Sequence, residues 1–189
     1  MNKRGLTLVE TLIVLVVFIL VSGLLITIMI NTLGLFYKES STRTQGLSIN
    51  DALSKIRSSI KQSSGVVTSF TSGATYTSSA SQLILKLTSV DSSNNLVMNT
   101  FDYFVFFLDG SLLRFKSFPD VLSSRKAQDQ IFSTNVKSLQ FKYLDLQNPP
   151  TEVLPSQANK VRTSLTLQQK LGIDYETITA TSEASLRND

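Results

Sequence analysis

The chain has 189 residues, eighteen Lys and Arg against fourteen Asp and Glu, a formal net charge of +4, and neither His nor Cys. Without cysteine no disulfide framework can form, and without His and Cys the commonest transition-metal ligands and two routes to nucleophilic or general-base catalysis are missing. The sequence pI of about 9.4 invites a nucleic-acid reading, but residues 65–189 carry eleven basic and eleven acidic side chains, so the excess lies ahead of them and nucleic acid is disfavoured as a partner.

The start reads Met1-Asn2-Lys3-Arg4-Gly5-Leu6-Thr7-Leu8-Val9-Glu10. Thr11 through Ile30 then carries no charge and is apolar apart from Thr11, Ser22, Gly23 and Thr27. Twenty helical residues span about 30 Å, the thickness of a hydrocarbon core. Lys3 and Arg4 on the short side keep that end cytoplasmic and send the remainder outward. Glu10 stands at the front of this apolar run. A carboxylate there is costly and calls for a cationic partner, which the residues after it do not offer. A secretory signal cut near Val21-Ser22-Gly23 and a plain single-pass anchor each explain the apolar length; neither explains Glu10.

Lys-Arg-Gly-Leu-Thr-Leu-Val-Glu, with basic residues, Gly, an apolar residue and then Glu at a fixed offset, resembles the class III leader of type IV prepilins. The resemblance implies that prepilin peptidase cuts between Gly5 and Leu6 on the cytoplasmic face and N-methylates the new amine of Leu6. Leu6 stands where the family usually has Phe. In that family the acid, here Glu10, answers the amine of an adjacent subunit and so sets register and recruitment.

Beyond Ile30, Leu33, Phe36 and Tyr37 extend the apolar stripe, and Leu47, Ile49, Ala52, Leu53, Ile56 and Ile60 follow at three- and four-residue steps. This predicts an amphipathic helix that must dock on something. Gly34 or Gly46, with the poor helix formers Glu39 to Thr44, are candidate bends, and Gly65 is the expected stop. The expected organisation is a leader over 1–5, a long N-terminal helix over 6–64 that spans the membrane at about 11–30, and a β-rich head over 65–189.

From Gly65 the period becomes two. Leu83, Leu85 and Leu87 alternate with Ile84, Lys86 and Thr88, a half-buried strand. Phe101 to Leu108 is apolar on both faces in its second half and should be central and covered twice. Asp109-Gly110 predicts a hairpin into Ser111–Lys116. Further strands are expected over Leu139–Tyr143, Val161–Leu167 and about Thr177–Leu186. Phe70–Ser81, Ser89–Asn95 and Pro149–Pro155 read as loops, either partner-binding surfaces or ordinary connections. Asp91, Asn94 and Asn95 have oxygen chemistry for calcium without a calcium-loop spacing, so turn chemistry is expected and no metal or cofactor.

The whole is an α+β layout resembling the pilin lollipop, a long helix whose C-terminal half packs on an antiparallel β-rich head. The order Tyr103, Asp109-Gly110-Ser111-Leu112-Leu113-Arg114, Val136–Tyr143, Val161–Leu165 and Leu186-Arg187-Asn188 resembles the J-type minor pseudopilins of type II secretion and the W-type minor pilins. That resemblance implies a tip-proximal structural subunit in a bacterial cytoplasmic (inner) membrane and then in a pilus or pseudopilus, its head outside the cytoplasm. Its implied partners are prepilin peptidase, other pilin or pseudopilin subunits in a hetero-oligomeric tip complex, and the inner-membrane assembly platform. The alternatives are a competence-type pseudopilin touching DNA through Arg125-Lys126 or Lys160 and Arg162, and a plain anchored domain. No enzyme is expected: Asp102, Asp109, Asp120 and Asp145 have no spacing that brings them to one pocket, and no serine has a base at a motif distance.

Overall fold

In the computed structural model, residues 7–171 and 174–187 are described, the side chains of 37–47, 169–171 and 174 excepted. Helix α1 covers Leu8–Gln62, and the chain divides within it into two compact units, one up to Arg43 and one from Thr44 onward. α1 stays helical through Gly34, Gly46 and residues 39–44, where the sequence suggested a bend. Single glycines cost only ~1 kcal/mol each in a helix interior and are absorbed by their neighbours.

In the first unit, Leu8–Phe36 is a 29-residue stretch long and apolar enough to cross a membrane, the one such helix among the described residues. It is wider than the expected 11–30 span and includes Glu10. Its side chains are exposed on every side, Phe18 and Leu20 for example at 70 % and 67 %. A helix apolar all round has no face for water, and its side chains are satisfied only by lipid or by other apolar helices.

In the second unit the C-terminal part of α1 buries Ile49, Ala52, Leu53, Ile56 and Ile60, the predicted stripe. It faces two antiparallel sheets. The larger has the order β1-β4-β5-β6-β7, built from β1 (Gly65–Val66), β4 (Gln82–Val90), β5 (Leu96–Asp109), β6 (Leu112–Phe118) and β7 (Gln128–Ser133). The smaller has the order β10-β9-β8, from β8 (Val136–Leu144), β9 (Lys160–Leu171) and β10 (Asp174–Ser185). Leu83, Leu85, Leu87, Phe106 and Phe115 from the first sheet share one core with Leu139, Phe141, Val161 and Leu165 from the second and with the α1 stripe.

The larger sheet is covered on its other face too. Within Phe70–Ser81, expected as a loop, β2 (Ser69–Ser72) and β3 (Ala74–Thr77) form a hairpin about Gly73, whose φ of +70° favours glycine. Phe70 stacks on Tyr103 with centroids 4.2 Å apart, and Tyr76 reaches Phe107 and Phe118. This lid explains why Ile84 and Val105, paired across β4 and β5, are fully buried. The strand read as half-buried is therefore apolar on both sides at Ile84, while β5 is central as expected. The β5–β6 turn comes one residue later than the Asp-Gly signal: Asp109 pairs with Leu112, leaving Gly110 and Ser111 as the loop, with Gly110 at φ +60°. The last strand begins at Asp174 rather than Thr177.

Candidate functional site

Glu10 is the first candidate. Thr7 precedes the first helical residue, and the pair forms a capping box, the Thr-x-x-Glu arrangement that satisfies orphan donors at a helix start. The Thr7 side-chain oxygen accepts the Glu10 N–H at 3.3 Å. In return, Glu10 Oε2 accepts the Thr7 backbone N–H at 2.9 Å and the Thr7 hydroxyl at 3.1 Å. Among the described residues no cation pairs with Glu10, and its Oε1 has no hydrogen-bond partner. The carboxylate is thus held at one oxygen and open at the other, a local partner that the charge-based reading of the sequence overlooked. The signal was present: Thr followed three residues later by Glu, just ahead of an apolar run. Gly5 and Leu6 lie outside the described residues.

In the second unit the acids are far from equivalent. Asp91 accepts the N–H groups of Ser93 and Asn95 and the Asn95 side-chain amide, which holds its pKa below the usual carboxylate value and makes a turn of residues 91–95. Asp145 likewise serves Thr151 and Gln147. Asp109 and Asp129 clasp Arg114, Asp129 through both oxygens at 2.9 Å. No group of three or more metal-ligating acids occurs among the described residues.

Asp102 is the exception that the sequence did not reveal. Its side chain is wholly buried on the core-facing side of β5. It accepts the Ser89 hydroxyl at 2.7 Å, the Asp120 N–H at 2.9 Å, the Ser123 hydroxyl at 2.8 Å and Arg125 Nη1 at 2.6 Å. Burial pushes its pKa up, but these donors outweigh that and bring it below the usual range. Its partners come from segments 13 to 23 residues away, a distance at which no local pattern registers.

The two basic pairs considered for DNA are largely neutralised. Arg125 belongs to Asp102, and Lys160 and Arg162 flank Glu183 at 3.0 and 2.7 Å. The Lys126 side chain stays exposed, and its ammonium has no partner among the described residues. It borders a cleft of about 340 Å³ between the C-terminal part of α1 and the segment after β6.

An apolar helix long enough to cross a membrane, followed by a β-rich unit, puts the chain in the α+β class. No protein-family model matches the chain, and no curated protein matches it either.

Proposed function

We propose that the chain is a minor pilin or pseudopilin, a structural subunit without chemistry of its own that helps initiate or cap a type IV pilus or a type II secretion pseudopilus at its tip. The observation that carries this reading is Glu10: a carboxylate at the head of an exposed 29-residue apolar helix, four positions beyond Leu6 and, among the described residues, capped at one oxygen only. Cutting after Gly5 creates an ammonium at Leu6, methylated by the same peptidase. In a bundle of such helices the open Oε1 of one subunit takes the Leu6 ammonium of the next, a charge-assisted bond strengthened by the surrounding hydrocarbon. A subunit that adds to the bundle gains this bond; one alone in lipid keeps only its cap. The assembly platform would draw such subunits from the inner membrane, with the β-rich unit outside the cytoplasm.

The intact mass of the chain recovered from membranes tests the reading. Loss of Met1–Gly5 together with gain of one methyl group is the expected result. A full-length N-terminus in cells with active prepilin peptidase overturns it.

A further inference from the structure

We propose that the cleft beside α1 binds a carboxylate-bearing peptide segment of another protein, a site that stands apart from the apolar helix and from Glu10. Its walls come from three directions: Lys55, Ser58 and Gln62 of α1, Phe104 and Phe115 of the larger sheet, and Arg125 and Lys126 of the segment after β6. All of them lie in the second unit.

Arg125 is the fixed point. Its Nη1 donates to both the buried Asp102 carboxylate and the Thr88 carbonyl, while its Nε and Nη2 have no partner among the described residues. A guanidinium anchored through one nitrogen keeps the rest of its planar fork for a second carboxylate, and little side-chain freedom is left to lose on binding. Three of the four donors gathered by Asp102, from Asp120, Ser123 and Arg125, pin residues 120–125 and so hold Lys126 beside the cleft. Asp102 offsets the charge of Arg125, which leaves Lys55 and Lys126 as uncompensated cations. Neither is in an ion pair among the described residues, and Asp51, one turn before Lys55, makes none with it. Lys55 rests over the Phe115 ring at 5.5 Å from its centroid. The Gln62 and Gln128 amides supply further neutral donors, while the Ser58 and Ser117 hydroxyls already donate to the Lys55 and Lys126 carbonyls, and Phe104 and Phe115 give an apolar floor for side-chain methylenes.

Size and charge favour a peptide over a nucleic acid. The cleft has room for a few side chains, and two net cations match one or two carboxylates rather than a run of phosphates. On the far side of α1, Arg57 and Lys61 meet Lys160, which Glu183 already answers, so the basic surface does not continue as an even track.

The test uses the full chain in detergent micelles and a fluorescein-labelled peptide of alternating glutamate and alanine, followed by fluorescence anisotropy. Saturable binding is expected, weakened at least tenfold by Lys126→Glu and by Lys55→Glu, and unchanged by Lys137→Glu outside the cleft. Both lysines are exposed, so these variants should keep the fold, and circular dichroism checks that they do. Equal binding of the glutamine–alanine peptide, indifference to Lys126→Glu, no binding at millimolar peptide, or a short DNA duplex binding more tightly through the same lysines would each overturn the proposal. A chain that keeps its leader yet binds the peptide leaves this inference standing and removes the assembly reading alone.

Discussion

Asp102 gathers donors from β4, from the segment after β6 and from a guanidinium; if the carboxylate were lost, the Ser89, Asp120 and Ser123 donors would lose this acceptor and Arg125 Nη1 would keep only the Thr88 carbonyl. In Asp102→Asn the amide keeps one acceptor oxygen, turns an NH2 group toward donors, and leaves Arg125 without its counter-charge. We expect a loss of about 3 kcal/mol, toward the lower end for a broken buried pair because Arg125 is partly exposed. At ~2–4 °C per kcal/mol for a unit of this size, the melting temperature should fall by about 6–12 °C. The pH dependence has a definite sign. The folded pKa lies below the unfolded value of about 3.9, so the contribution is fully present above that value and is lost as pH falls through the folded pKa. The gap between wild type and Asp102→Asn in thermal melts should therefore be constant from pH 5 to 8 and shrink below about pH 4. A gap that persists undiminished at pH 2 would show that the carboxylate charge is not what holds the segment.

At the scale of elements, α1 changes its role along its length. Up to Phe36 its apolar side chains face outward; from Ile49 they occur at three- and four-residue steps and fill the core of the second unit. Ile56, only 1 % exposed, sits at the centre of that stripe. Ile56→Ala should cost about 2–5 kcal/mol, the range for deleting a large aliphatic side chain that leaves a cavity. Lys61→Ala, on the exposed side of the last turn of the same helix, should stay within about 0.5 kcal/mol. Denaturant unfolding of the two variants checks this, and equal effects would mean that α1 does not dock through the stripe. The same stripe was plain in the sequence because helical spacing is a local signal. β7 was not: Gln-Asp-Gln-Ile-Phe-Ser is exposed through its first four residues and lacks alternation, so only its pairing with β6 makes it a strand. The β2–β3 hairpin escaped for a related reason. Its Ser- and Thr-rich strands are four residues each, and the aromatics that hold it, Phe70 and Tyr76, find their partners only once β5 and β6 are in place.

For the molecule as an assembling subunit, the question is whether Glu10 acts through its charge or only through its cap. Gln serves as well as Glu at the third position of a capping box, because its amide oxygen can still accept from Thr7. Glu10→Gln therefore separates the two roles, keeping the helix start while removing the anion that would meet a neighbouring Leu6 ammonium. If the charge recruits subunits, Glu10→Gln should be cut and methylated normally, as intact mass would report, keep its helix content in micelles, and yet fall at least tenfold in the sheared filament fraction relative to the membrane fraction. Thr7→Val should do the converse, weakening the cap while leaving the carboxylate free to pair, and so incorporate at close to the wild-type level. If Glu10→Gln enters filaments as well as wild type does, the carboxylate is a helix cap and nothing more. The apolar helix would then need another reason to gather with its neighbours, and its exposed side chains alone give none in lipid, where hydrocarbon tails solvate them as well as another helix would.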